Sequence, residues 1–332
     1  MDFTLTDDQR LLVDSVSSLL GGACPPALVR RVADGDRVAA SALWNQIGDF
    51  AALGDASVCD HVLVAERFGR TCAPGPWLVA STLAVPLLRA AGHELADAAA
   101  AGDRAVTVAW AGADGDWRLP PVADRTRTFV LELDLCDDVV VVHPDGIAVQ
   151  PAGEGRPLGW LDLTRTAWEV TIDSSAATHA LDDLRTVLHR ATVVLAAELC
   201  GTARRLLDLS VEYAKERVQF DRPIGSFQAV QHLLADLALD VERAWAGVQW
   251  AAMCLDDPVA AGADTARAPH VAKGAASEAA AHAVQTSIQV HGGIGYTWEH
   301  DLHLWMRRAL ASEHLLGTAD DHHDALAALV TV

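Results

Sequence analysis

The sequence predicts an α+β fold that is mainly α-helical, with a small β-domain between two helical parts. Apolar residues recur about every 3.6 positions up to residue 102 and again from residue 182 onward, a spacing typical of helices. Between residues 105 and 173 the pattern changes to short runs of β-branched residues, which favour strands. With 332 residues, 51% of them hydrophobic, the chain can bury cores for three domains, expected at residues 1–103, 104–178 and 179–332.

The amino-terminal part is predicted to be helical. Residues 6–8, Thr-Asp-Asp, resemble a helix cap, and the apolar residues behind them keep helical spacing: Leu11, Leu12, Val16, Leu19 and Leu20. The stretch CPP at residues 24–26 ends this first helix. Further helices are expected around residues 62–68 and 78–91, separated by GRTCAPGP, because glycine and proline do not suit a helix interior.

The middle part is predicted to form strands. Three stretches are rich in β-branched residues: AVTVAW, FVLEL and VVVVHPDGIAVQP. In the last of them, Pro144-Asp145-Gly146 lies between two apolar runs and predicts a hairpin turn. Strands and helices do not alternate here, so a doubly wound nucleotide-binding sheet is not expected.

The carboxy-terminal part is predicted to be a bundle of roughly four long helices. One continuous apolar stripe indicates a helix that packs inside it: Val230, Leu233, Leu234, Leu237, Val241, Trp245 and Val248. The breaks between helices are expected at FDRPIGS, DDPVAAGAD and HGGIGYT, where glycine and proline accumulate.

The composition argues against several partners and locations. A net charge of −20 does not suit nucleic acid or an anionic membrane surface. The longest uncharged apolar run, residues 77–88, is too short to cross a membrane, and the acidic amino terminus lacks a signal-peptide core, so we expect a cytoplasmic protein. Six cysteines form no CxxC pair, which predicts buried thiols rather than a zinc site or a disulfide framework.

No metal site or nucleophile is predicted. Di-iron bundles use Glu-x-x-His pairs, and the sequence contains none. The histidines near the end of the chain are more typical of exposed or capping residues: His300, His303, His314, His322 and His323. No G-x-S-x-G elbow frames a serine, so the sequence offers no catalytic nucleophile.

Two stretches carry a specific pattern of residue types: ERVQFDRPIGSFQ at residues 216–228 and QVHGGIGYT at residues 289–297. They resemble the carboxy-terminal bundle of the acyl-CoA dehydrogenase family, whose pattern is R-x-x-F-x-x-x-[IL]-x-x-[FY]-Q followed by Q-x-x-G-G-x-G-[FY]. The amino-terminal helices also resemble those of the family, although more weakly, so the resemblance extends over most of the chain. The resemblance implies an amino-terminal helical domain, a small middle β-barrel and a carboxy-terminal four-helix bundle.

The resemblance also implies a cofactor. In this family FAD lies across a subunit interface, and the bundle of one subunit contacts the diphosphate and adenosine end of its neighbour's FAD. The matching positions are Arg217, Phe220, Gln228, Gln289, Gly292 and Gly293. An arginine fork pairs well with diphosphate, and glycine lets the backbone approach the dinucleotide. The alternative is a plain loop that ends a helix, with Gln289 facing the core.

The sequence departs from the family where the catalytic glutamate is expected. That glutamate stands before the Gly-Thr of the last helix or on the first bundle helix, where this chain has Leu316 and Ala191. The nearest acids, Glu313 and Glu198, are expected on the surface or at helix caps. The family's flavin-ring loop is also unrecognisable in residues 111–121.

These departures lead to a specific functional hypothesis. The chain resembles the short companion subunit of heteromeric steroid-CoA-type dehydrogenases, in which only the other subunit carries the base. We expect an acyl-CoA substrate, FAD and a second acyl-CoA dehydrogenase subunit in an α2β2 heterotetramer. The alternatives are a non-catalytic acyl-CoA-binding or scaffold protein, and a homo-oligomeric flavoenzyme with Glu313 as a displaced base.

Overall fold

The computed structural model describes residues 3–117, 119–121, 123–172, 178–181 and 183–330. The sequence predictions that fall on residues 118, 173–177 and 182 therefore lie outside the described residues. The helices are α1 (Asp7–Ala23), α2 (Pro26–Ala33), α3 (Arg37–Ile47), α4 (Val58–Thr71), α5 (Trp77–Val79), α6 (Val85–Ala90), α7 (Ala96–Ala100), α8 (Leu184–Glu216), α9 (Gln228–Asp256), α10 (Pro258–Ala261), α11 (Asp264–His291), α12 (Leu302–Glu313) and α13 (Ala319–Val330). The strands are β1 (Val106–Ala109), β2 (Thr126–Leu131), β3 (Asp138–His143), β4 (Gly146–Pro151), β5 (Arg156–Pro157), β6 (Ala167–Thr171), β7 (His179–Ala180), β8 (Val218–Gln219) and β9 (Arg222–Pro223).

A capping box and prolines set the ends of the first amino-terminal helix. Thr6 caps α1 by accepting from the Gln9 amide, and the Gln9 side chain accepts from the Thr6 amide in return, which forms a capping box. The helix ends at Ala23, as the prolines that follow it at residues 25 and 26 predict. The predicted helix at residues 78–91 is observed as α5 and α6, which are joined by a π-helical turn at Ala80–Ala84.

The strands of the middle part form two sheets, with the orders β1-β3-β4-β7 and β2-β6-β5, and no closed barrel is seen among the described residues. Strands β8 and β9 form a separate two-stranded sheet. In β3, Val140 and Val142 face the main core, whereas Val139 and Val141 face a second apolar cluster that includes residues of β2 and β6. Because this strand is covered on both sides, its sequence is a continuous apolar run. The predicted hairpin is confirmed, since His143 pairs with Gly146 across a two-residue loop.

The carboxy-terminal helices form a bundle in which α8, α9 and α11 are long and pack against one another. The shorter helices α12 and α13 both pack against α11, and together they stand in place of the fourth long helix of the bundle. The prediction of a mainly α fold with a small β-region is thereby confirmed. Among the described residues no single helix is long and apolar enough to cross a bilayer, although the pair α1 and α2, bent by 59°, passes that test when joined.

Helix α4 crosses α8 at very close range. A Cβ atom on Gly69 would lie 2.1 Å from the Glu198 carbonyl oxygen, and one on Gly201 would lie 2.0 Å from the Glu66 carbonyl oxygen. No other residue type fits either position without moving a helix backbone. The two glycines therefore fix where the amino-terminal helices lie on the bundle.

Four fully buried charges lie where α8, α12 and the loop before β6 meet. The guanidinium of Arg308 donates to Asp162, and also to Glu198 at 2.9 Å, while Arg165 forms an ion pair with the same Glu198 oxygen at 2.7 Å. Arg308 donates further to Thr164 at 2.5 Å and to the Ala73 carbonyl oxygen at 3.3 Å. We call Arg308, Asp162, Glu198 and Arg165 the ionic core; their exposed fractions are 0%, 2%, 1% and 4%.

The ionic core keeps its arginine charged despite complete burial. Burial alone would lower the pKa of Arg308, but the carboxylates of Asp162 and Glu198 raise it above its ordinary value. Two arginines and two carboxylates balance within the cluster. Removing one member would leave a buried charge without its partner, which costs far more than the intact cluster contributes.

We predict that Arg308→Met lowers the free energy of unfolding by about 3–5 kcal/mol, because Asp162 and Glu198 then lose a buried partner. Urea unfolding followed by circular dichroism measures this. The matched control is Arg307→Met on the same helix, where the arginine is part-exposed and should contribute less than about 1 kcal/mol. Equal losses in the two variants would contradict the role assigned to the ionic core.

Candidate functional site at the end of the helix bundle

The two sequence motifs lie at the same end of the helix bundle. Arg217 is the first residue after α8, and its amide donates to the Tyr213 carbonyl oxygen. The chain then forms the β8–β9 hairpin and enters α9 at Gln228. The second motif ends α11 and continues into the turn at Gly292. We call residues 213–228 together with 289–298 the bundle end.

Side chains of α8 and α11 hold the two motifs together. The Tyr213 ring stacks on the His291 ring with centroids 4.4 Å apart, one turn before Arg217 and one residue before Gly292. Further inside, the Ser210 hydroxyl donates to the Ser287 hydroxyl at 3.0 Å. These contacts explain why segments 77 residues apart in sequence reach one surface.

The bundle end contains three cations and two carboxylates, Glu216 and Asp221, so it carries a small net positive charge on an otherwise acidic chain. Lys215, Arg217 and Arg222 lie within eight residues and are all exposed, while the whole chain carries a net charge of −20. Among the described residues none of the three forms an ion pair, and the Arg222 guanidinium lies over the Phe227 ring, 4.0 Å from its centroid. Unpaired arginines in one place suit a phosphate or diphosphate group.

The hairpin after Arg217 presents an aromatic side chain to the outside. Phe220 and Asp221 have φ angles of 53° and 61°, so both residues of this tight turn are left-handed. That conformation is costly for a bulky residue. The Phe220 side chain is nevertheless 86% exposed, and its ring contact among the described residues is an edge-on one to Phe227, with centroids 6.1 Å apart. A surface outside the chain is the natural contact for it.

The two glycines at this end serve different purposes. Gly292 has a φ angle of 60°, which the turn after α11 requires. Gly293 does not adopt a left-handed φ angle, and apart from its own chain neighbours no atom of the described residues would lie within 4 Å of a Cβ atom there. The missing side chain at Gly293 is therefore not explained by packing within the chain. It leaves the backbone open to a molecule approaching from outside.

All six residues predicted to contact the cofactor are exposed in the single chain: Arg217, Phe220, Gln228, Gln289, Gly292 and Gly293. Because Gln289 is exposed, the alternative in which it faces the core is wrong. The bundle end is an open surface and not a closed pocket. It is suited to covering part of a ligand that a second subunit holds.

The region around Leu316 has a different character. Leu316, at a φ angle of 59°, lines a small apolar cavity together with Leu83, Leu195 and the Trp117 side chain. Among the described residues no carboxylate lines this cavity. The expectation that Glu198 lies on the surface or caps a helix is wrong, since it belongs to the ionic core.

A buried lysine fixes the turn that carries Leu316. The ammonium group of Lys273, on α11, donates to the Ser277 hydroxyl at 2.9 Å and to the carbonyl oxygens of Glu313 and Gly317 at 2.8 Å each. Burial lowers its pKa to about 7, yet three acceptors match the three N–H groups of the charged form. Sequence reasoning missed this residue; a single lysine within an alanine-rich helix was the available signal.

Comparison with known proteins identifies the family. A model of the family "Acyl-CoA dehydrogenase, C-terminal domain" matches residues 181–330. Acyl-CoA dehydrogenase IpdE2 of Mycobacterium tuberculosis is 36% identical over 324 residues, which cover 94% of each chain. The chain belongs to the acyl-CoA dehydrogenase family. Acyl-CoA dehydrogenase IpdE2 of Mycolicibacterium smegmatis is 30% identical over 94% of this chain and 96% of the relative.

Solved structures agree with this assignment to the acyl-CoA dehydrogenase family. The crystal structure of the ChsE4-ChsE5 complex from Mycobacterium tuberculosis contains a chain that superimposes with a TM-score of 0.85 at 26% identity, over 99% of this chain and 98% of that one. The resemblance drawn from the two motifs is confirmed. The chain is a member of a flavin-using oxidoreductase family.

We predict that alanine substitutions at the two glycines have opposite effects on folding. Gly292→Ala should lower the free energy of unfolding by about 1–3 kcal/mol, because an L-residue is strained at its φ angle. Gly293→Ala should change it by less than about 0.5 kcal/mol, because its Cβ meets open space. Thermal unfolding of both variants checks this, and a large loss at Gly293 would show that its role lies within the chain.

Proposed function

We propose that this chain is the base-lacking companion subunit of a hetero-oligomeric acyl-CoA dehydrogenase, in an α2β2 assembly with an unlike chain of the same family. The assembly oxidises an acyl-CoA thioester between its α and β carbons. The supporting observation is an asymmetry within one chain. The outward-facing bundle end keeps its cofactor-binding residue types, while Leu316 stands at the expected position of the base and no carboxylate among the described residues lines the small cavity beside it. Asp116 and Asp321 line a larger cavity that Leu316 also borders, and the Asp321 carboxylate there accepts hydrogen bonds from Thr318.

The bundle end fits the diphosphate and adenosine part of an FAD held mainly by the partner. Arg217 would pair with the diphosphate, Gln289 would offer amide hydrogen bonds, and Gly293 would let the backbone approach. Bound FAD supplies hydride acceptance from the β-carbon of the thioester. This chain's part in that reaction is to bind and orient the cofactor across the interface.

The region around Leu316 does not fit a flavin ring with a base opposite it. Trp117 is only 7% exposed and lines the same small cavity as Leu316, and it belongs to the loop where the family's ring-binding residues are expected. Removal of an α-proton requires a positioned carboxylate. Leu316 and Ala191 are apolar, and Glu198 is enclosed by two arginines, so the base has to come from the partner.

Exposed aromatic side chains support an unlike partner subunit. Phe220, Tyr296 and Trp298 are 86%, 73% and 59% exposed, and all belong to the bundle end. Tyrosine, tryptophan and arginine are enriched at the centres of protein interfaces. The solved ChsE4-ChsE5 structure is itself a complex of two differently named chains. An interface at this end would bring the cations of this chain next to the partner's cofactor.

The proposal is tested by the flavin content of the chain purified alone and together with its partner. We expect flavin absorbance only in the complex, with one FAD for each pair of unlike chains. One FAD for every single chain would show that the region around Leu316 still binds a flavin. Turnover by this chain alone, abolished by Glu313→Gln, would instead establish the homo-oligomeric enzyme with a displaced base. A complex without flavin would support a scaffold.

We predict that Arg217→Ala weakens FAD binding in the complex by about 1.5–3 kcal/mol, because a charge-assisted hydrogen bond to diphosphate is lost. Flavin retained after dialysis, followed by absorbance, measures this. Lys215→Ala is the matched control, since it removes an exposed cation two residues away and should change FAD affinity by less than about 1 kcal/mol. Equal flavin retention in both variants would contradict the contact assigned to Arg217.

A further inference from the structure

A second cavity of about 520 Å³ lies far from the bundle end. The first turns of α8 and α11, the last helix α13 and the loop containing Trp117 surround it. Most of its lining is apolar, and three histidines lie among the apolar side chains: His189, His270 and His322. We call this the histidine cavity. Concave, largely apolar pockets with a few polar groups are typical of small-molecule sites.

A chain of hydrogen bonds assigns the tautomers of two of these histidines. The Nε2 atom of His322 lies 3.0 Å from the Leu316 carbonyl oxygen, which can only accept, so Nε2 carries the hydrogen. In the neutral ring Nδ1 of His322 is then an acceptor. It lies 2.9 Å from Nδ1 of His270, which therefore donates. This leaves Nε2 of His270 without a hydrogen, as an acceptor.

The surroundings keep these imidazoles neutral at neutral pH. Burial lowers the pKa of His322 to about 3, with Lys273 and His270 acting in the same direction. Burial, and next the charge of Arg185, lower the pKa of His270. Burial also lowers the pKa of His189 to about 4. The tautomers assigned by geometry are therefore those of uncharged rings.

Two other polar side chains that line the cavity, Thr192 and Asp321, are already engaged, whereas the exposed Arg185 guanidinium forms no ion pair among the described residues. The Thr192 hydroxyl donates to the Leu188 carbonyl oxygen at 2.8 Å. The Asp321 carboxylate accepts from the Thr318 amide at 2.8 Å and from its hydroxyl at 2.7 Å. Among the described residues, Nε2 of His270 has no hydrogen-bond partner within the chain. It is a hydrogen-bond acceptor available to a ligand.

We propose that the histidine cavity binds an apolar molecule that carries a hydroxyl group, whose O–H donates to Nε2 of His270. The apolar lining holds the body of the ligand, and the acceptor selects for the hydroxyl group. A hydroxyl also accepts hydrogen bonds, which suits the neutral imidazole of His189, whose ring centroid lies 5.8 Å from that of His270. Leu316 and Trp117 also line this cavity, so the inference rests on the proposed function, in which no flavin ring occupies that side of the chain. One FAD bound to every single chain would contradict both, whereas loss of the preference for a hydroxyl group would contradict this inference alone.

The test compares two probes that differ by one hydroxyl group, 2-naphthol and naphthalene, titrated into the full chain with detection by probe fluorescence. We expect 2-naphthol to bind about three- to tenfold more tightly, the value of one net hydrogen bond. His270→Phe keeps an aromatic ring and removes the acceptor, so it should abolish this preference. His314→Phe, at an exposed position outside the cavity, should keep it.

A measurement on the unaltered protein keeps the test independent of how the variant folds. Nitrogen-15 NMR of the labelled histidines should show an unprotonated Nε2 in His270, and its resonance should move on addition of 2-naphthol but not of naphthalene. Equal affinity for both probes, no binding of either, a protonated Nε2 in the free protein, or a preference that survives in folded His270→Phe would each overturn the proposal.

Discussion

The structure depends on four charges that are buried together. The ionic core takes Arg308 from α12, Glu198 from α8, and Asp162 and Arg165 from the loop before β6, and Arg308 also contacts the backbone just after α4. A charge buried without its partner is strongly unfavourable, so these segments are stable only in one relative arrangement. The close contact between α4 and α8 at Gly69 and Gly201 also restricts the relative position of these two helices sterically. Charge and shape thereby specify one position for the amino-terminal helices, the strands and the bundle.

Helix α8 connects the ionic core to both the bundle end and the histidine cavity. Its 33 residues correspond to a length of about 50 Å at a rise of about 1.5 Å per residue. Its first turns line the histidine cavity, its middle contributes Glu198 to the ionic core, and its last turn positions Arg217. The bundle end and the histidine cavity are therefore opposite ends of one continuous helix. A ligand at either end acts on a rigid element that is anchored at its centre.

The sequence predicted the elements that depend on local chemistry. The cap at Thr6, the hairpin at His143 and Gly146 and the mainly helical fold follow from short-range patterns, and the motif around Arg217 identified the family. The ionic core was missed because its members are far apart in sequence and each resembles a surface charge. Lys273 and the pair of helix-crossing glycines were missed for the same reason. Their function is visible only when the neighbouring segment is known, as the expectation for Glu198 shows.

The distribution of lysine has a practical consequence for this chain. Only two lysines occur in 332 residues, and Lys273 is completely buried with all its donors engaged. Lys215 is exposed and lies two residues from Arg217. Reagents or enzymes that modify lysine side chains therefore meet a single exposed lysine, and it lies on the surface where a partner subunit would dock. Covalent attachment at Lys215 would place a fluorophore, a crosslinker or an acetyl group at the edge of that surface, while the buried Lys273 would stay unmodified.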